Sequence, residues 1–590
     1  VRAIVEPQVV ELPDGRRELW AVCEDHTRPA PADPTPAAGA GVGPAPVVDP
    51  HIERYLVAIP LDGSAAQDPA RLRQITPSAR FTAAARLSPD GRLLAWITWE
   101  HPRMPWDGTE LHVAPMEDPD GDGPVAVAGQ VIAGGESVSV LQPEWVDEDR
   151  LILVSDESGW WNPWLWMDGM GLRPVLQQDE EFAGPLWSIG TTWMHVLDTD
   201  RVLVQHGRAQ QRLGVLDLRT ARIADLDQPL TSLSAVAVGP RGSGSHGGPV
   251  GSVGPVGPGG AAGSGGRALA ILGASPTRFP ALLRGRLVTD AQGAHWRDER
   301  VVRSSRTDTP DPAALPVVEE LQVTTADGRV IHAVLHRPRL QGVEGPAGEL
   351  PPFVAFVHGG PTSQAPLALN LAAALYTSRG IGVVDVNYGG STGYGRAYRE
   401  RLTGQWGVVD VADTVAVMEH LVAEGIADGR RLAIEGGSAG GWTTLACLTR
   451  TDTFAAGISR YGVADLEGLR RDTHDFESRY LEGLVGPWPE AAALYEERAP
   501  LHQVEGLSAP VLLLQGDEDR VVPPAQSEVF RDALAAKGIP HAYVLYAGEQ
   551  HGFRRAETIH AATEASLSFY GQVLGFEVPG VPRLELTTGR

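Results

Sequence analysis

Two hydrophobic periodicities that belong to different folding patterns meet in this sequence near residue 310. Up to there, apolar residues come in short alternating runs cut by turn signals. Arg92-Leu-Leu-Ala-Trp-Ile-Thr98 follows Ser88-Pro-Asp-Gly91, and Arg150-Leu-Ile-Leu-Val-Ser155 follows Asp147-Glu-Asp149. Arg201-Val-Leu-Val-Gln205 follows Asp198-Thr-Asp200, with Leu213-Gly-Val-Leu-Asp-Leu218 after it. The units recur about every 40–55 residues, the repeat of four-stranded propeller blades. Five are marked, beginning near residues 1, 77, 130, 183 and 233. A β-sandwich would space its strands evenly without this longer period. The expectation is an all-β propeller over residues 1–310.

From about residue 318 the runs become continuous: Pro352-Phe-Val-Ala-Phe-Val-His358, Gly382-Val-Val-Asp-Val-Asn387, Arg431-Leu-Ala-Ile-Glu435 and Pro510-Val-Leu-Leu-Leu-Gln515. Runs of this kind suit parallel strands covered on both faces. Between them lie a helix with Val411, Val415, Met418 and Val422 on one stripe and another from Pro524 to Lys537. Residues 318–590 are therefore expected to form a mostly parallel sheet with helices on both faces. Two Pro-, Gly- and Ala-rich stretches, 28–48 and 239–266, bury too little side chain to offset their ordering entropy and are expected as mobile insertions in the first domain.

Composition narrows the function classes. The 590 residues suit more than one domain, and 43% hydrophobic content supplies ample core. A net charge of −25 repels phosphate backbones and anionic lipid, which disfavours nucleic-acid and membrane-surface roles. No apolar run approaches the ~18 residues that cross a bilayer, and the first twenty residues lack the order of a signal peptide. Two cysteines, Cys23 and Cys447, form neither a disulfide framework nor a metal-ligand pattern, so a reducing, cytoplasmic location is expected. Homo-oligomerisation is left open.

The chemistry is concentrated in Glu435-Gly-Gly-Ser-Ala-Gly-Gly441. Gly436 to Gly440 is a G-x-S-x-G pattern set directly after an apolar strand and before a helical stretch, the context of a nucleophile elbow. Small residues flank Ser438 because the turn is tight, and the helix start beyond it favours developing negative charge. A serine hydroxyl needs a base, itself oriented by a carboxylate. In this chain order the acid precedes the histidine. The strand ending at Gln515 runs into Gly516-Asp-Glu-Asp-Arg520, and Tyr543-Val-Leu-Tyr546 leads to Gly548-Glu-Gln-His-Gly552. His551 is the candidate base; Asp517, Glu518 and Asp519 compete as its partner. The backbone N–H of Ala439 is one oxyanion donor, and the loop His358-Gly-Gly-Pro361 fills the place of the second.

This constellation resembles the prolyl oligopeptidase family of serine peptidases, in particular its acyl-aminoacyl-peptidase and dipeptidyl-peptidase-like bacterial members. Phe356-Val-His-Gly-Gly-Pro361, Asn387-Tyr-Gly-Gly-Ser-Thr-Gly-Tyr-Gly395 and Trp406-Gly-Val-Val-Asp-Val-Ala-Asp413 carry the same likeness. It implies an α/β-hydrolase domain preceded by a β-propeller. Family members commonly have more blades than the five marked here, which, with the Val start, gives the expectation that an N-terminal part is absent from the chain. The resemblance also implies a Gly-x-x-Asp turn with the histidine some thirty residues later, which selects Asp519 over Asp517, and it makes Gly360 N–H the second oxyanion donor. Phe476 and Tyr480 are implied as walls of an apolar substrate pocket, set four apart on a helix turn. Glu180 and Glu181, in Asp179-Glu-Glu181, are implied as carboxylates for a peptide amino terminus. Gly389 stands where many relatives have arginine.

The expected function is a serine peptidase hydrolysing short peptides and releasing N-terminal residues or dipeptides, with Ser438, Asp519 and His551 as its triad. No metal or cofactor is implied, since histidines and acids show no metal-binding spacing. An esterase-type hydrolase shares the triad but rarely carries a propeller. A non-catalytic interaction propeller with a relic hydrolase conflicts with the complete Ser, Asp and His set. The tryptophans Trp160, Trp161, Trp164 and Trp166 are expected to pack between blades rather than form a ligand platform.

Overall fold

A computed structural model of the chain describes residues 2–26, 52–119, 121–239, 266–290, 293–308 and 310–588. The insertion expected at 28–48 lies outside the described residues, as does 239–266 apart from its two end positions. The chain forms two units, Val1–Gly273 with Ala281–Ser304, and Ala274–Pro280 with Ser305–Arg590.

The first unit is a β-propeller assembly of antiparallel sheets. Among the described residues, five sheets follow one another, starting at Arg2, Phe81, Val140, Met194 and Ser232; each has four strands in chain order, and the second carries a fifth. Three of these starts lie within about four residues of the expected units, the scale on which sequence patterns place element boundaries, while the third and fourth begin about ten residues later than expected. The third differs for a local reason. Residues Gln130–Gly134 pair with the strand Glu110–Glu117 of the second sheet and do not open the third. Gly134 has φ 89° and lies against Thr109 O, so the chain turns there before the next sheet begins. The second strands carry the core: Leu151 to Val154 and Val202 to Val204 are fully buried. Trp161, Trp164 and Trp166 are buried too, Trp166 edge-on to Trp145, while Trp160 is half-buried beneath the Arg208 guanidinium.

The second unit is built on an eight-stranded sheet: β1 (Val317–Thr324), β2 (Val330–Arg337), β3 (Phe353–Val357), β4 (Gly382–Asn387), β5 (Leu432–Gly437), β6 (Ala456–Arg460), β7 (Val511–Gly516) and β8 (His541–Tyr546). The order is β1-β2-β4-β3-β5-β6-β7-β8. β2 pairs antiparallel with β1 and β4, and every later pair is parallel. This is the α/β-hydrolase sheet. Every residue of β7 is buried, as continuous apolar strands require when both faces are covered. Asn370 caps the helix Leu371–Thr377 by accepting the N–H groups of Ala372 and Ala373, an arrangement that contributes about 1 kcal/mol.

Register places the functional loops. Val357 pairs with Gly436, so the loop after β3 emerges beside the end of β5. Gly516 pairs with Tyr546, so the loops after β7 and β8 emerge together. The segment Ala274–Pro280 joins this unit from within the last propeller sheet: Leu369 N–H donates to Ser275 O at 2.8 Å, Ser305 N–H donates to Pro280 O, and Arg306 lies over the Phe279 ring. No helix among the described residues is long and apolar enough to cross a membrane.

Candidate active site

Ser438 stands between β5 and the helix Ala439–Arg450 with φ 56° and ψ −123°. A non-glycine residue holds such a backbone only when its surroundings over-determine it. Here they do. Ser438 N–H donates to Arg460 O at 3.0 Å, and Ser438 O accepts from Trp442 N–H at 3.1 Å. Glycine is required beside it: a Cβ on Gly440 would lie 2.1 Å from Val357 O. The helix N-terminus can approach β3 only without that atom.

His551 and Asp519 meet across the paired ends of β7 and β8. His551 Nδ1 donates to Asp519 Oδ2 at 2.8 Å, with the Asp519 side chain fully buried and the imidazole 22% exposed. The other carboxylate oxygen accepts the N–H groups of Val521 and Val522, each at 2.9 Å. Asp517 is used differently, accepting Gly548 N–H at 2.6 Å to hold the His551 loop. The ring of Tyr461 touches both sides of this site. It packs edge-on against His551 and over Gly437, one residue before the serine.

The loop after β3 runs directly beside the elbow, since a Cβ on Gly359 would lie 3.3 Å from Ser438 Cβ. His358 turns its ring inward, stacked on Tyr388 at 4.4 Å between ring centroids. Burial pushes its pKa down to about 4. The neutral ring donates from Nδ1 to Gly359 O at 2.9 Å and accepts Ser391 O–H at Nε2 at 2.7 Å. Tyr388 O–H donates to His358 O at 3.1 Å. The carbonyls of this loop are thus tied down on the protein side.

A sequence profile of the prolyl oligopeptidase family matches residues 368–577. Over its whole length the chain is 43% identical to a puromycin-hydrolyzing peptidase of Mycobacterium tuberculosis, superposing with a TM-score of 0.85 and covering 81% of that chain. The chain belongs to the prolyl oligopeptidase family. A puromycin hydrolase is 41% identical with a TM-score of 0.84, with 99% of this chain and 80% of that one covered. Dipeptidyl aminopeptidase BIII of Pseudoxanthomonas mexicana is 31% identical over 43% of this chain and 38% of its own. The human acylamino-acid-releasing enzyme is 29% identical over 35% of this chain and 29% of its own. The matched region spans well under half the length of these two curated relatives.

Placed on this family fold, the remaining candidates separate. Phe476 and Tyr480 do not share a helix turn: Phe476 is half-buried in the 3-10 turn Asp475–Glu477, and Tyr480 opens the next helix, Tyr480–Leu484. The Tyr480 hydroxyl is 2.6 Å from Thr362 Oγ1 and accepts Thr362 N–H at 3.3 Å. Tyr480 thereby supports the loop after β3, and the expected helix turn shared with Phe476 is corrected to two separate elements. Glu180 and Glu181 belong to the propeller unit. Glu181 is buried and accepts Trp161 N–H at 2.9 Å. Glu180 pairs with His206 at 2.7 Å and with Arg212, and lines an open cavity of about 590 Å³ that Asp225 and Arg222 also border. Burial alone would raise the Glu180 carboxyl; its bonds from His206 and Arg212 hold it below the ordinary value. Gly389 has no space for a side chain, as a Cβ would lie 2.7 Å from Val409 Cγ1.

Sequence reasoning missed the carboxylates beneath the site. Of the stripe expected from Val411, Val415, Met418 and Val422, Val411 and Met418 are buried and Val415 and Val422 half-buried, and the buried face of the helix Val409–Ala423 also takes in Asp410, Asp413, Thr414, Val417 and Leu421. Asp410 accepts Thr443 O–H from the nucleophile's helix and Gly407 N–H, each at 2.6 Å, and burial pushes its pKa up to about 6. Asp413 accepts Gly389 N–H at 2.8 Å and pairs with Arg329. The signal was present in Trp406-Gly-Val-Val-Asp-Val-Ala-Asp413, where two acids three apart share a helix face.

Proposed function

We propose that the chain is a serine peptidase that hydrolyses short peptides from their amino termini. Ser438 attacks the scissile carbonyl, His551 takes its proton and returns it to the leaving amine, and Asp519 fixes the tautomer and stabilises the imidazolium. The N–H groups of Ala439 and Gly360 receive the oxyanion. The observation that carries this reading is the 2.8 Å bond from His551 Nδ1 to a fully buried Asp519, which leaves Nε2 for proton transfer. Support comes from the serine's elbow backbone and from the abutment of Gly359 on Ser438. The names of the relatives, peptidases acting on amino-terminal residues, agree with it.

Labelling with a fluorophosphonate tests the nucleophile. It is expected to be lost in Ser438→Ala, and labelling that persists in that variant would remove the assignment. Hydrolysis of matched peptides with free, acetylated and extended amino termini tests the substrate class.

A further inference from the structure

The loop after β3 ties most of its polar groups to the protein and leaves two N–H groups unbonded. Gly359 O accepts from His358 Nδ1, and His358 O accepts from Tyr388 O–H, whose oxygen also lies 3.3 Å from Pro361 O. Ser363 N–H donates to Pro361 O at 2.9 Å, and Ser363 O accepts Thr392 N–H at 2.8 Å. Ala365 N–H donates to Asn387 Oδ1 at 2.8 Å. Among the described residues, the N–H groups of Gly359 and Gly360 have no hydrogen-bond partner. They lie beside the elbow, where a Cβ on Gly359 would stand 3.9 Å from Ala439 N. The direction of Gly360 N–H depends on the residue two positions on. Gly360 has φ 122°, and a Cβ there would come within 2.9 Å of Thr362 N, so the turn is folded tightly onto Thr362. Thr362 is in turn held from outside the loop. Tyr480, 118 positions along the chain, accepts Thr362 N–H at 3.3 Å and shares a 2.6 Å hydrogen bond with Thr362 Oγ1. Both residues are buried, so a bond removed here is not simply replaced by one to water.

We infer that the Tyr480 hydroxyl is a positioning residue for the oxyanion site: by holding Thr362 it fixes the turn that aims Gly360 N–H. This rests on the serine-peptidase reading. Gly360 sits between two tyrosine hydroxyls that grip the loop from different elements. Tyr388 follows β4 and holds the carbonyl side, while Tyr480 opens the helix Tyr480–Leu484 and holds the Thr362 side. A donor acts on a developing oxyanion only when it is fixed in advance at the place where that charge appears. With Thr362 released, Gly360 keeps its N–H and loses its aim. The cost then falls on the transition state and spares the binding of substrate.

The test uses wild type, Tyr480→Phe, Thr362→Val, Thr362→Ser and the double variant Tyr480→Phe/Thr362→Val. Two quantities are measured on each. One is the rate constant of fluorophosphonate labelling, in which the phosphonyl oxygen takes the oxyanion's place; the other is kcat and KM on alanine p-nitroanilide. Tyr480→Phe, which keeps the ring, is expected to lower the labelling rate and kcat by about 10–100-fold with KM within about twofold. Thr362→Val should lose as much, and the double variant only a few-fold beyond the worse single, as for two residues acting through one bond. Thr362→Ser, which keeps the hydroxyl, should stay within a few-fold of wild type. A higher KM with kcat unchanged would overturn the inference and make the hydroxyl a substrate contact. An unchanged labelling rate with a lower urea midpoint would also overturn it, leaving Tyr480 a support of the fold alone. So would losses that multiply in the double variant. If Tyr480→Phe does not fold, Thr362→Val against Thr362→Ser decides by the same criteria. Wild type that is labelled at the same rate as every variant defeats this inference alone. Wild type that is neither labelled nor active defeats the serine reading and this inference with it.

Discussion

The ring of Tyr461 stands edge-on to the imidazole of His551 with centroids 4.9 Å apart, and the same ring covers Gly437, where an added Cβ would come within 2.8 Å of it. One side chain therefore spaces the elbow from the histidine loop. Its own φ of 40° at the end of β6 is held by its N–H bond to Leu514 O. Tyr461→Ala should lower kcat by about 10–100-fold with little change in KM, since it loosens the approach of base to nucleophile. Tyr461→Phe, which keeps the ring, should stay within a few-fold of wild type. Similar losses in both variants would show that the hydroxyl, not the ring, matters.

Asp519 and Asp517 can be told apart by amide substitution. Asp519→Asn presents an N–H or the wrong lone pair to His551 and should cost about 10⁴-fold in kcat. Asp517→Asn weakens only the Gly548 turn and should cost about tenfold or less. The assignment reverses if Asp517→Asn proves the more damaging.

Asp410 gives stability a pH dependence of defined sign. Its folded pKa is raised to about 6 from an ordinary 3.8. Between those values the folded chain holds a proton that the unfolded chain has released. Its contribution is fully present below the unfolded pKa and is lost as pH rises through the folded one. Relative to Asp410→Asn, wild type should lose about 1–3 kcal/mol of stability between roughly pH 4 and pH 7. Urea denaturation of both proteins at the two pH values measures this, and a constant difference would contradict it.

His358 works in the opposite direction. Its pKa is depressed to about 4, so the unfolded chain binds the proton first and stability falls as pH drops from about 6.5 through 4. His358→Gln should flatten the acid limb of the stability curve. An unchanged limb would mean that this ring is not the group responsible.

Glycines predict opposite outcomes at two positions. A Cβ on Gly440 would collide with Val357 O, whereas Gly483, inside the helix Tyr480–Leu484, has nothing within 4 Å of one. Gly440→Ala should destabilise by about 2–4 kcal/mol, and Gly483→Ala should stabilise by about 0.5–1 kcal/mol. Chemical denaturation midpoints decide both.

The parts of this molecule legible in the sequence are those where one local pattern decides the outcome. Continuous apolar runs marked β3, β4, β5 and β7 because nothing else buries both faces. The elbow was readable because its glycines, serine and flanking strand are contiguous. The helix turn expected to hold both Phe476 and Tyr480 is absent because a spacing of four does not by itself make one helix, and here the chain leaves the 3-10 turn at Ser478 and starts again. Asp410 and Asp413 were hidden for a related reason: a hydrophobic stripe counts only apolar residues, and here buried acids with bonded oxygens share the inner face. Tyr461 owes its place to the sheet, which alone brings the end of β6 beside the His551 loop.

The routing of Ala274–Pro280 decides how this enzyme can be taken apart. Because this stretch is part of the hydrolase unit although the chain returns to the propeller for Ala281–Ser304, no single cut separates the two. A fragment beginning at Ser305 would expose Leu369 N–H, stripped of Ser275 O, and would leave Arg306 without the Phe279 ring. Dissection, circular permutation or transplantation of the hydrolase onto another partner must therefore carry these seven residues along as a separate strap.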